Sequence, residues 1–181
     1  FDGCDTVELA REYGSPIYVM SYNAIMDRLN ELKEEFTGKY PNTRVAYASK
    51  AFCTVGMYEI LKKAGACIDV VSGGELYAAE KAGFPAEHVE FNGNNKLPSE
   101  IDQAVSYGVG RIIVDGLNEL ALIEDACKRY DKKMNIMLRI TPGVAASTHD
   151  FIVTGKKDSK FGIPLEEDIF LPIVKQIVES D

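Results

Sequence analysis

The segment Arg44-Val45-Ala46-Tyr47-Ala48-Ser49-Lys50-Ala51 decides how the rest of the chain is interpreted. The small and apolar residues from Val45 to Ser49 predict a buried strand, and that strand ends on a lysine. Such a lysine either extends its amine to solvent or keeps it in a partly desolvated pocket. In the pocket its pKa falls, and the neutral amine becomes a nucleophile that forms Schiff bases. Lys50 is therefore a candidate catalytic residue.

The segments that follow Lys50 repeat one pattern, in which an apolar strand is followed by an amphipathic helix. The strands are apolar rather than alternating, as expected when both faces of a parallel sheet are buried. The predicted strands are 44–49, 66–71, 87–91, 111–115 and 134–140, and the predicted helices are near 54–64, 74–82, 98–107, 117–130 and 166–180. Pro172 predicts a break or a late start in the last of these helices.

Two architectures fit a βα repeat, a doubly wound sheet and a βα barrel. A doubly wound dinucleotide fold requires a GxGxxG turn after its first strand, whereas this strand is followed by Ser49-Lys50-Ala51. The sequence therefore favours an α/β protein with a partial (β/α)8 barrel. Because a complete barrel has eight units and five are found, we expect a truncated barrel.

The residues before the repeat follow a different pattern. A short helix is expected within 1–15, and Pro16 opens a predicted strand at 16–22. A helix at 23–37, ended by Gly38, then leads into the barrel. Phe1 is not an initiator methionine, so the start is expected to be a cut.

Composition excludes several classes of function. The net charge of −8 argues against nucleic acid or an anionic membrane as a partner. No apolar run approaches the roughly 18 residues of a membrane span. Four scattered cysteines and two histidines predict reduced thiols in a cytoplasmic protein and no metal site.

Polar residues at the ends of the predicted strands meet at one rim of a βα barrel. Asp69 lies between Ile68 and Val70, where an unpaired carboxylate would be costly, so it forms either a structural ion pair or a pair with Lys50. Arg139 ends the fifth strand and belongs either to the site or to a rim salt bridge.

Two further segments near this rim are candidates for binding. The glycine-rich turn Ser72-Gly73-Gly74 exposes backbone N–H groups at a helix start and could bind an anion. The long loop at 147–162 is a candidate lid or substrate loop that carries His149 and Lys160. A surface role for His149 fits the sequence equally well.

Several motifs together resemble the diaminopimelate decarboxylases, a family of pyridoxal-phosphate-dependent barrel decarboxylases. The resemblance covers nearly the whole chain, and the last of the motifs is the most specific. The motifs are Tyr47-Ala48-Ser49-Lys50-Ala51, Asp69-Val70-Val71-Ser72-Gly73-Gly74-Glu75-Leu76, Gly93-Asn94-Asn95-Lys96, Thr148-His149, Thr154-Gly155-Lys156 and Asp158-Ser159-Lys160-Phe161-Gly162. Where this family often has histidine before the third motif, the chain has Asn92, to which no role is assigned.

The resemblance implies a division of the chain, a function and a set of roles. Residues 1–22, with the predicted strand at 16–22, would contribute to a second, β domain, and residues 23–181 would form the first part of the barrel. Lys50 would bind pyridoxal phosphate covalently, Asp69 would tune the lysine and the cofactor, and Arg139 would lie in the cofactor pocket. The reaction would convert meso-diaminopimelate to L-lysine and CO2 in a cytoplasmic homodimer. Residues beyond the chain would complete the site, so residues 1–181 alone are expected to be inactive. The alternatives are a decarboxylase of ornithine, arginine or carboxynorspermidine, and a relative that binds pyridoxal phosphate without catalysis.

Overall fold

A five-stranded parallel sheet forms the centre of the computed structural model, which describes residues 1–143 and 161–180. Neighbouring strands follow one another in the order of the sequence. A doubly wound sheet reverses its strand order, so this arrangement supports the barrel prediction. The strands are β1 (Ala46–Ala48), β2 (Cys67–Val70), β3 (Val89–Phe91), β4 (Arg111–Val114) and β5 (Ile136–Leu138).

Helices connect the strands, and their bounds agree with the sequence prediction to within one residue. They are α3 (Val55–Ala64), α4 (Gly73–Lys81), α5 (Pro98–Tyr107) and α6 (Leu117–Tyr130). The core lies between these helices and the sheet, since strand and helix side chains form one buried cluster. Its largest fully buried members are Tyr58, Phe84, Phe91, Leu61, Ile68 and Leu76.

The segment before the sheet differs from the prediction. Helices α1 (Thr6–Tyr13) and α2 (Tyr22–Leu32) are present, and a π-helical turn, Lys33–Thr37, extends α2. The predicted strand at 16–22 is absent from the described residues. A strand needs a neighbour that completes its hydrogen bonds, and no described segment pairs with this one. Tyr18 is accordingly 95% exposed.

Strand β1 is also more exposed than predicted. Ala46 and Ala48 are exposed and Tyr47 is half-buried, although the sequence predicted a buried strand. The physical reason is position, because β1 is an edge strand that pairs only with β2 in the described residues. Its apolar character is that of an interior strand without its second neighbour.

The chain after β5 forms a small second sheet and a last helix. Strands β6 (Ile140–Thr141) and β7 (Ile163–Pro164) pair in parallel, and they lie at the two ends of the segment between the fifth predicted strand and the last predicted helix. Helix α7 (Glu167–Glu179) continues through Pro172, so the predicted break at this proline is wrong. The described residues contain no helix long and apolar enough to cross a membrane.

Candidate active site

Lys50 lies at the end of β1, in the 3₁₀ turn Ser49–Ala51. Its side chain is exposed, so the described residues do not enclose it in the desolvated pocket that the sequence suggested. The exposure follows from the edge position of β1. Lys50 nevertheless lies at the carboxyl end of the sheet, the edge at which βα barrels carry their active sites.

Asp69 is the carboxylate nearest in register to this lysine, because its Cα pairs with that of Ala48 across β1 and β2. Burial raises the pKa of Asp69, while a hydrogen bond from Asn92 and the charge of Lys50 partly offset this effect. Its Oδ1 atom is buried and has no hydrogen-bond partner among the described residues. Asp69 is thus electrostatically coupled to Lys50 without forming an ion pair with it.

Asn92 is a site residue that the sequence did not assign. It follows β3, and its backbone N–H donates to Val70 O at 2.7 Å, which places it beside the end of β2. Its side-chain Oδ1 accepts the N–H of Gly93 at 2.9 Å, and its side chain lowers the pKa of Asp69. The parallel pairing of β2 with β3 could have identified Asn92 from the sequence, because residues just after neighbouring parallel strands lie side by side.

Arg139 forms the rim salt bridge that was the alternative reading of the sequence. Its Nη1 atom lies 2.9 Å from Asp115 Oδ1, and its guanidinium stacks 4.2 Å from the centroid of the Phe161 ring. The backbone N–H of Gly162 donates to the second Asp115 oxygen at 3.0 Å. The predicted role of Arg139 in cofactor binding remains a prediction.

The side chain of Lys96 is buried near this rim, and the sequence did not predict its structural role. Its side chain is 1% exposed and forms an ion pair with Glu119 at 2.8 Å. It also donates to Gly93 O at 2.8 Å and Ile113 O at 2.7 Å, so all three ammonium hydrogens have acceptors. The motif containing Lys96 was recognisable, but its partner on α6 depends on the fold.

Three glutamate side chains accept hydrogen bonds from backbone N–H groups next to helix starts at the rim. Glu75 accepts the N–H of Val71 at 2.6 Å, and Glu119 accepts that of Asp115 at 3.0 Å. Glu100 accepts the N–H of Gly73 at 2.6 Å. This N–H belongs to the glycine-rich turn proposed as an anion site, so one of its donors is already occupied by a carboxylate.

The remaining sequence candidates, His149 and Lys160, lie outside the described residues. Within the described residues no cluster of histidine, cysteine and carboxylate side chains could hold a metal ion. The donor set at the rim is instead an amine, a buried carboxylate oxygen with no partner and a guanidinium. These groups fit an anionic carbonyl cofactor that a lysine binds covalently.

The strand order and the rim together define the class of the protein, a βα-barrel domain whose reactive groups follow its parallel strands. The family model for the pyridoxal-dependent decarboxylase, pyridoxal binding domain, matches residues 23–178, and the chain belongs to this family. The cofactor predicted from the sequence is the one for which the family is named.

Relatives with curated names agree with this family. The chain is 45% identical to the diaminopimelate decarboxylase of Bacillus subtilis over 179 residues, which cover 99% of the chain and 41% of that protein. It is 48% identical to the diaminopimelate decarboxylase of Bacillus methanolicus over 164 residues, which cover 91% of the chain and 38% of that protein. The chain therefore spans about two fifths of the length of these relatives.

Solved structures show the same fold. The diaminopimelate decarboxylase of M. jannaschii in complex with L-lysine aligns with a TM-score of 0.88 at 38% identity, over 99% of this chain and 42% of that one. The Helicobacter pylori diaminopimelate decarboxylase, also with L-lysine, aligns with a TM-score of 0.86 at 30% identity, over 97% of this chain and 44% of that one. The predicted partial barrel is confirmed.

Proposed function

We propose that the complete polypeptide containing these residues decarboxylates meso-diaminopimelate to L-lysine and CO2, with pyridoxal phosphate as cofactor. The observation that carries the proposal is the lysine at the end of β1 beside the half-buried Asp69, whose Oδ1 atom is buried without a hydrogen-bond partner among the described residues. Relatives named diaminopimelate decarboxylase, at up to 48% identity, support the choice of substrate over other basic amino acids.

Each rim residue has a role that follows from its chemistry. Lys50 supplies the amine that binds the cofactor covalently, and its exposed position lets a ligand reach it. Asp69 supplies a negative charge next to that amine, and Asn92 holds the carboxylate in place. Arg139 supplies a fixed positive charge at the same rim. When bound, pyridoxal phosphate supplies the electron sink for loss of the carboxylate.

The exposed surfaces of the chain fit further parts of a larger protein. Residues 1–22 contribute to a second domain, and the segment containing Tyr18 joins it, because its apolar side chains are exposed among the described residues. Among the described residues, strand β1 and strand β5 each have one edge without a paired strand, and further barrel strands would cover these edges. The complete protein is a homodimer.

A direct test measures CO2 release from meso-diaminopimelate by the complete protein. We expect turnover that requires added pyridoxal phosphate and is faster than turnover of ornithine or arginine. Lys50→Ala should lower kcat by about three orders of magnitude or more. The control Lys39→Ala removes an exposed lysine in the turn after Lys33–Thr37, whose side chain pairs with the exposed Glu35, and should leave kcat unchanged. Equal loss in both variants, or preference for another amino acid, would contradict the proposal.

A further inference from the structure

Asp115 is the residue at which three segments of the rim meet. It follows β4, is 7% exposed, and uses both carboxylate oxygens. Oδ1 accepts from Arg139 at 2.9 Å, and Oδ2 accepts the backbone N–H of Gly162 at 3.0 Å. One carboxylate therefore holds the end of β5 and the segment that leads into β7.

The backbone from which this carboxylate extends is itself held on both sides. The N–H of Asp115 donates to Glu119 Oε2 at 3.0 Å, and the same oxygen lies 2.8 Å from the Lys96 amine. That amine also donates to the carbonyl of Ile113 at 2.7 Å. A buried ion pair adds little net stability because desolvation offsets the attraction. Its consequence here is geometric, since it fixes the end of β4.

Arg139 is the group whose position depends most on this arrangement. Its side chain is 29% exposed, so it is reachable from solvent at the rim. Stacking on Phe161 fixes the plane of the guanidinium, and the bond to Asp115 fixes its rotation within that plane. An arginine has five N–H donors, and the remaining donors are thereby presented in one orientation.

We propose that Asp115 is a positioning residue of the cofactor site, acting through Arg139. The inference rests on the proposed function, in which Arg139 faces the cofactor. Asp115 does not touch the reacting atoms, because the described contacts occupy both of its oxygens. It sets the orientation of a charge that would otherwise sample several rotamers at a half-exposed rim.

The test is the affinity of the cofactor-free complete protein for pyridoxal phosphate, measured by absorbance titration. Asp115→Asn keeps the size of the side chain and an acceptor but removes the charge facing Arg139. We expect its dissociation constant to rise about tenfold, the loss typical of a hydrogen bond to a charged group. The control Asp102→Asn removes a carboxylate that pairs with Arg129 between α5 and α6, and should leave the affinity unchanged.

A double-variant cycle separates positioning from a general loss of structure. Arg139→Gln should weaken the cofactor at least as much as Asp115→Asn, and the combined variant should bind no worse than Arg139→Gln alone. The proposal would be overturned if the dissociation constant of the combined variant rose by the product of the two single effects. It would also be overturned if Asp115→Asn bound the cofactor as tightly as Asp102→Asn. If Asp115→Asn is not recovered folded, Asp115→Glu takes its place in the cycle. A wild-type protein that binds no pyridoxal phosphate would overturn the proposed function as well.

Discussion

Asp69 carries an energetic cost that the described contacts do not remove. Burial is the largest influence on its pKa and raises it, and the opposing effects of Asn92 and Lys50 are smaller. One of its oxygens is buried without a partner. Residues that keep an unsatisfied charge in a folded protein are typical of functional sites, where a ligand or a catalytic group completes the arrangement.

Asp69→Asn should therefore stabilise the cofactor-free protein at neutral pH. Because the folded state holds the Asp69 proton more tightly than the unfolded state, stability falls as pH rises from below the ordinary pKa of 3.8 through the raised value. Asparagine does not ionise, so its advantage should be present at neutral pH and disappear at pH values below 3.8.

The measurement is the free energy of unfolding by urea titration across this pH range, in wild type and variant. Asp27→Asn, which removes an exposed carboxylate of α2, is the control for the effect of one lost negative charge on the free energy of unfolding. A variant that is less stable than wild type at neutral pH, or an advantage that grows in acid, would show that Asp69 is not strained by burial.

At the scale of the element, the helices were predictable and the strand ends were not. Helices α5 and α6 have the predicted bounds because Pro98 and Gly108 mark the ends of α5, and apolar residues at helical spacing define α6. The length of a strand depends on hydrogen bonds with neighbouring strands of the sheet, which local sequence does not encode. The segment at 16–22 shows this, since it has the composition of a strand and no described partner.

Gly110 illustrates a close approach that the sequence alone does not reveal. A Cβ atom at this position would lie 2.3 Å from the carbonyl oxygen of Glu87, a contact with backbone that cannot move aside. Gly110→Ala should lower the free energy of unfolding by about 1–3 kcal/mol. Gly56→Ala, on the exposed side of α3 with no atom near its added Cβ, should raise it by about 0.5–1 kcal/mol.

Urea titration of the two alanine variants provides a matched comparison of opposite sign. Both changes add one methyl group, so any general effect of side-chain size is shared. If Gly110→Ala were as stable as wild type, the contact between the start of β4 and the segment before β3 would not be as close as the structure shows.

For the whole molecule, the sequence predicted the partial barrel better than the contacts between its segments. The predicted strands placed Lys50, Asp69 and Arg139 at the carboxyl ends of parallel strands, and the structure has them there. The Lys96–Glu119 pair and the Asp115–Gly162 contact join segments far apart in sequence. Such pairings follow from the packing of α5 and α6 and from the return of the chain to β7, which no local pattern specifies.

The central claim is that Lys50 binds the cofactor, and one measurement tests it most directly. The complete protein is incubated with pyridoxal phosphate, reduced with borohydride, digested and mapped by mass spectrometry. The account predicts a single modified peptide with the added mass on Lys50, and none in Lys50→Ala. Modification of another lysine, such as the buried Lys96, or of no lysine at all, would contradict it.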